Sequence, residues 1–425
     1  MNKPGVNTDA PARRASRNIA RAGACVAMGL LARVAPAQVI PPESLTVRLQ
    51  RAEAAIATLQ TQLAEQAQSA VQTRSRAQLE INGRVLLNGF GNSRRVNNVD
   101  NPQFVLPDPG TSTRGTGIAI RQTRLGLAVT VAEALGGSFT GDVDVDFYGG
   151  QQPSGGGRTF PLLRLRTARA IVRWSHAQLL FGQESPLISG VNPLTPAAIG
   201  TPLFATAGNL WLWLPQARGS FETGTRVRFG VQGAVLAPTS GDPAALFDTD
   251  FDLAERSQRP FLQARVFARW GEGAPSEVGC GMHQGWLMPT TTRERSTAIA
   301  CDAIVAPLEW LDLRGEFFTG QALRGLGGGG IGQNFAVAGP VPLETTGAWA
   351  QLSVTPTTGL QVGAGCGGDH PDAVAVRRRN DACAGYAMYR PGTVFFGAEY
   401  RRLRTEYASG RLNNDYVTLA AGFEF

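Results

Sequence analysis

Over the last ten residues, 416–425 (YVTLAAGFEF), Val417, Leu419, Ala421, Phe423 and Phe425 alternate with Thr418, Ala420, Gly422 and Glu424. Strict period-two alternation marks a strand with one apolar face. The same alternation recurs from residue 78 onward and predicts sixteen strands: 79–90, 117–131, 138–148, 161–173, 176–184, 216–221, 225–237, 259–270, 276–287, 295–306, 308–321, 346–355, 360–368, 383–390, 393–406 and 412–425. Connections after odd-numbered strands are mostly long, with 91–116, 185–215, 238–258, 322–345 and 369–382 prominent. Those after even-numbered strands are tight, such as AEALGG, ETG, GEGAP, a corner at Pro307, and PTTG. Long loops at one rim and short turns at the other characterise a bacterial membrane barrel. A soluble sandwich has no reason to sort loop length by parity.

The facing pattern agrees. In 138–148, Phe139, Val143, Val145 and Phe147 oppose Asp142, Asp144 and Asp146; in 225–237, Val227, Phe229 and Val231 oppose Arg226, Arg228 and Gln232. An Arg facing lipid near mid-bilayer costs roughly 2–4 kcal/mol, so these charges are expected to point into a polar bore. Strand 161–173 changes phase near Thr167, which reads as a β-bulge. The expected fold is all-β, a 16-stranded antiparallel transmembrane barrel over 78–425.

Two other patterns precede it. Residues 1–37 carry a basic start, the apolar run AGACVAMGLLA and Ala35-Pro36-Ala37, the layout of a cleavable signal peptide. Between 43 and 72 the period becomes seven. Leu49, Ile56, Leu63 and Ala70 form one seam and Leu45, Ala52, Leu59 and Gln66 the other, predicting a short α-helical coiled coil between parallel chains. A lone amphipathic helix packed on its own domain is the competing reading.

Composition narrows the picture. The 425 residues are 43% hydrophobic and include 52 glycines. No apolar run of 18 or more follows the N-terminus, which excludes a helical membrane protein. The formal charge of +7 is mostly that of the signal segment. Lys3, Arg13, Arg14, Arg17, Arg21 and Arg33 supply six of 40 positive charges and Asp9 one of 33 negative ones, leaving 34 against 32 from Gln38 onward. No basic surface for nucleic acid remains.

In organisation the chain resembles the DcaP-like outer-membrane porins, and short strings carry the likeness: LRLRTA at 163–168, LLFGQESP at 179–186 leading into a long loop, LPQ at 214–216, and RGEFFTGQAL at 314–323 before a Gly-rich loop. The resemblance implies a homotrimer of sixteen-stranded pores in outer-membrane lipid with a periplasmic coiled coil. It also implies passive uptake of small, preferentially anionic solutes such as dicarboxylates, without a cofactor.

The apolar loop 185–215 is too long for a tip in water and is expected to fold inward and narrow the bore. Its Trp211 and Trp213 would pack on the wall or join the outer aromatic belt. Selectivity at a narrowing comes from charged rings. The candidates are Arg124, Arg164, Arg166, Arg226, Arg228 and Arg265, opposed by Asp142, Asp144, Asp146, Glu316 and Glu399. Cys280 and Cys301 flank one loop and Cys366 and Cys383 another, the layout of two cross-strand disulfides. A divalent cation at 369–372 is a weaker reading than a solvated loop, and no metal site is expected. The three histidines, His176, His283 and His370, have no evident Ser or Asp partner nearby in sequence, so an enzyme is not expected. The competing function is structural: a barrel plugged by its third loop, with the coiled coil contacting the cell wall.

Overall fold

The computed structural model describes residues 71–72, 77–108, 110, 113–149, 161–242, 249–271 and 276–425. The expected signal segment 1–37 and residues 43–70 of the expected coiled coil lie outside them. The strands are β1 Val71–Gln72, β2 Ala77–Asn92, β3 Gly115–Ala119, β4 Arg124–Ala134, β5 Gly137–Gly149, β6 Leu162–Arg173, β7 Ala177–Glu184, β8 Leu214–Gly224 and β9 Val227–Leu236. They continue as β10 Phe261–Trp270, β11 Ser276–Leu287, β12 Glu294–Leu308, β13 Leu311–Gln321, β14 Glu344–Thr357, β15 Leu360–Pro371, β16 Arg377–Tyr389, β17 Val394–Tyr407 and β18 Gly410–Glu424.

Each strand from β4 to β18 pairs antiparallel with the next, and β18 closes on β2 from Tyr416↔Asn92 to Glu424↔Arg84. β3 and β4 share one stave against β2, so the wall has sixteen staves. Closure leaves no free edge at hydrocarbon depth, which the bilayer demands. β1 pairs with the end of β2 that runs past β18, Val71 opposite Leu79. It covers an otherwise open edge, so these two residues are extended where the sequence suggested the end of a helix.

Three departures from the expected strands have local causes. The stave read as a continuous strand over 117–131 is broken at 120–123. Between Asn88↔Ala119 and Arg84↔Arg124 it inserts one residue more than β2 does, and the kink turns Arg121 and Gln122 inward, where both are buried. β16 begins at Arg377, which shortens the expected loop 369–382 to 372–376. β12 continues through Pro307 by a register shift between Val305 and Leu308, so the corner falls at 309–310. Proline is tolerated there because a bulge frees it from ladder bonding. The bulge near Thr167 is present: Asp144 faces Thr167 while Val145 faces Leu165.

The alternation sorts side chains as the bilayer requires. Outward positions include Val143, Phe181, Phe229, Val231, Val266, Met282, Ile299, Phe317 and Leu419, all exposed. Tyr389, Phe396, Phe423 and Phe425 form an exposed aromatic row near the turn rim. The buried apolar residues lie inside the wall, where the third loop (185–213) and sixth loop (322–343) pack together. Leu187, Ile188 and Leu210 of the former meet Leu323 and Leu326 of the latter, with Phe261, Leu287 and Phe318 from the wall.

Candidate permeation constriction

Inward positions of β4 to β12 carry two ion-pair clusters. Antiparallel register sets Arg124 opposite Asp146 and Asp146 opposite Arg164. From these places Arg124 binds Asp144, Arg164 binds Asp146 at 2.6 Å, and Arg166 reaches both Asp144 (2.9 Å) and Asp146 (3.0 Å). Beyond the bulge the inward phase resumes with Arg169, which holds Asp142 at 2.9 Å and also binds Glu184. The second cluster joins Arg265 to Glu277 (2.8 Å) and Asp302, and Arg269 to Glu277 (2.6 Å) and Glu222 (3.3 Å). Arg228 stands 3.6 Å from Glu222.

The two signs are not equally presented. Asp146 and Asp302 have side chains 0% and 1% exposed, whereas those of Arg124 and Arg228 are 49% and 47% exposed. Asp144, Asp146 and Asp302 lie against the sheet while Arg124 and Arg228 reach into the bore, but Glu222 and Glu277 stay 27% and 21% exposed and Arg265 only 6%, so the excess of cationic tips rests on Arg124 and Arg228. Planar guanidinium forks suit carboxylate and phosphate groups bidentately.

The third loop is fastened across the lumen by wall side chains. Arg164 and Arg166 also donate to the backbone oxygens of Gly200 and Ile199, and Gln122 accepts from the Ile199 amide at 2.6 Å. On the facing wall Gln351 brackets Leu194 with two bonds of 2.7 and 2.8 Å, and Thr195 donates to Glu399. Buried Glu316 accepts from Ser189 (2.8 Å) and from the Leu210 amide (3.2 Å). Arg314, Gln263 and Arg218 hold Asn192, Leu187 and Ser185 in turn. Trp213 lies under the guanidiniums of Arg166 (4.5 Å) and Arg164 (5.2 Å), which places it on the lumen side and not in the outer belt.

The sequence candidates therefore divide. Arg124 and Arg228 have their guanidiniums open to the bore, and Arg164 is partly so. Arg166, Arg265, Asp144 and Asp146 are enclosed in ion pairs, and Asp142 is half-buried with Arg169. Glu316 and Glu399 are buried as anchors of the third loop. Arg226 is not on a strand at all, because the turn between β8 and β9 takes 225–226. The two acids, expected to oppose the cations across open space, lie beneath the loop: Glu316 serves its Leu210 amide and Ser189 hydroxyl, and Glu399 its Thr195 hydroxyl while paired with Arg401.

Sequence reasoning missed Gln122, Arg169, Arg218 and the buried pair Arg121–Asp100. Arg169 was recoverable by carrying the phase through the bulge; Gln122 and Arg121 were not, since their direction comes from the kink. The expected pairs of cysteines are bonded, Cys280 to Cys301 and Cys366 to Cys383, each directly opposed across a hairpin with Cα–Cα 4.0 Å. All four sulfurs face outward, away from the constriction. Asp369 and His370 point to opposite faces of β15, so 369–372 does not converge on a cation. Among the described residues no group of three or more His, Cys, Asp or Glu is arranged to hold a metal.

The fold matches outer-membrane channels. The DcaP channel of Acinetobacter baumannii superposes with a TM-score of 0.65 at 16% identity, over 84% of this chain and 100% of that one. An anion-selective porin from Comamonas acidovorans gives 0.54 at 12% identity, over 82% and 100%. OmpF of Salmonella typhi, solved with daunomycin, gives 0.53 at 10% identity, over 83% and 99%. No protein-family model matches the sequence, and no curated protein matches it.

Proposed function

We propose that this chain, a barrel of the DcaP-like type in fold, is an outer-membrane porin through which small hydrophilic solutes diffuse passively. In this reading residues 1–37 direct export, and the segment 43–72 gathers three barrels on the periplasmic side. Solutes pass beside the inward third loop. The observation that carries the proposal is the sorting of the wall: apolar side chains outside a closed sheet, charged ones inside, and an inward loop beside them.

Anion preference, with dicarboxylates as the natural class, rests on the exposure of Arg124 in front of buried Asp144 and of Arg228 beside the less exposed Glu222. Purified protein in a planar bilayer under a salt gradient is expected to give stepwise currents with a reversal potential of anion-selective sign. Replacing both with Ala should lower the anion-to-cation permeability ratio roughly twofold to fivefold per site, the scale of about 0.5–1 kcal/mol for an exposed charge. A ratio unchanged in the double variant would remove them from the selective region.

One observation favours a second reading. The third loop is bonded to staves on opposite sides of the lumen, as a plug would be. A structural, plugged barrel would insert into the same bilayers and remain electrically silent.

A further inference from the structure

One stretch of the outer face departs from a plain apolar wall. β11 begins at the short-turn rim with Ser276 and reaches Trp286 ten residues later. A tilted strand climbs about 2.5 Å per residue (a rise of about 3.3 Å at about 40°), so Trp286 stands about 25 Å up, at the far edge of the apolar band of such barrels. Around it the outward side chains turn cationic. The Arg259 guanidinium lies over the Trp286 ring at 4.9 Å, and Arg295 is the register partner of Trp286 on β12. Both arginines are exposed, and Arg256 joins Arg259 in lining a cavity of about 730 Å³ beside Phe251.

Signs are not mixed here. Outward arginines on β16 and β17 face acids: Arg379 binds Asp381 at 2.7 Å, and Arg402 stands 3.8 Å from Asp415. Among the described residues neither Arg259 nor Arg295 is in an ion pair. Glu255 shares the lining of the cavity, but its carboxylate accepts from the Asp252 amide at 2.9 Å, and Asp252 accepts from the Ser240 amide at 2.7 Å. Glu294 precedes Arg295 and so lies on the inward phase. The first outward acid along the ladder, Glu344, is two staves from Arg295.

Beside the cationic pair lie hydroxyls, and below it a depression. Thr297, Thr319 and Thr346 line a cavity of about 580 Å³, with the hydroxyls of Thr319 and Thr346 3.2 Å apart. Six residues below Trp286, or about 15 Å, the Cys280–Cys301 disulfide, Ala303 and Gly315 floor an apolar depression of about 630 Å³ between Phe229 and Phe317.

We propose that the outer face of β10 to β13 seats one phosphorylated glycolipid of the outer leaflet. Its phosphate lies between Arg259 and Arg295, its sugar hydroxyls meet the threonines, and an acyl chain fills the disulfide-floored depression. The inference rests on the outer-membrane reading above and adds a site outside the bore. Guanidinium forks match phosphate oxygens bidentately, and an outward cation without an acid needs an anion from the surrounding leaflet. Headgroup, sugar and chain sites follow one another down the strands in the order in which such a lipid presents them.

The test takes the full-length chain, delipidated in detergent, and titrates it with bisphosphorylated lipid A, with the dephosphorylated form and with phosphatidylglycerol, counting adducts by native mass spectrometry. One saturable lipid A adduct per chain is expected. Arg259→Gln with Arg295→Gln should weaken it about tenfold to thirtyfold, the share of two arginines at an anionic lipid. Ala303→Phe, which fills the depression and leaves both arginines in place, should weaken it severalfold. Equal affinity for the dephosphorylated form, or an adduct unchanged in the double variant, would overturn the phosphate site. Phosphatidylglycerol binding as tightly as lipid A would overturn the glycolipid, and an adduct unchanged by Ala303→Phe would overturn the acyl site. Single-channel current and reversal potential should be the same in all variants, since these side chains face away from the bore. The porin reading fails separately, in a wild-type chain that binds lipid A and stays electrically silent.

Discussion

Gly328 shows how much of the constriction depends on single atoms. Its φ of 143° lies where side chains rarely go, and a Cβ there would sit 1.6 Å from the Ala205 oxygen of the third loop. A Cβ on Gly327, at φ 99°, would sit 2.4 Å from the Leu212 nitrogen, and the Leu326 oxygen accepts from the amides of Trp211 and Leu212. The run of glycines is what lets one inward loop lie backbone to backbone on another. Gly328→Ala is therefore expected to push the two loops apart. With strain of order 1–3 kcal/mol, the thermal midpoint should fall while currents become noisier as the third loop loosens. A quiet channel of unchanged size in that variant would show that the sixth loop does not support the third.

At the scale of the element, the outward disulfides join β11 to β12 and β15 to β16, closing loops with sequence separations of 21 and 17. Crosslinks of that span contribute about 3 kcal/mol by limiting the unfolded chain. Replacing either pair with Ser should lower stability against denaturant by that order and leave single-channel conductance unchanged, because the sulfurs face away from the bore. Altered conductance would mean that the hairpins also shape the lumen. The strands themselves were legible in the sequence, since lipid outside and charge inside impose period two on nearly every stave. The bulge at Thr167 was legible for the same reason: it is a phase error in that period. The kink at 120–123 was not, because Arg121 and Gln122 take their direction from an inserted residue and their partners from Asp100 and Ile199, distant in sequence. Glu316 and Glu399 had the right phase but the wrong neighbour: alternation says that a side chain points inward, not whether it meets water or an inward loop.

For the whole molecule, assembly and permeation call on different surfaces. The charges proposed to select solutes line β4 to β12 on the inside, while the heptads proposed to gather the chains precede the first strand, at 43–70. Heptads at 43–70 would aid assembly by holding neighbouring chains at high effective concentration, a gain that needs no new contact between the walls. Removing 43–70 should then leave each barrel folded and conducting, with the same single-pore current and reversal potential. It should convert currents that close in three equal steps into independent single steps as the protein is diluted in detergent before reconstitution. Dilution series of the full-length and shortened chains, recorded under one salt gradient, separate the two contributions. Triple steps persisting in the shortened chain at every dilution would assign assembly to the barrel walls alone. Loss of current altogether would show that the N-terminal segment is needed for the pore and not only for its partners.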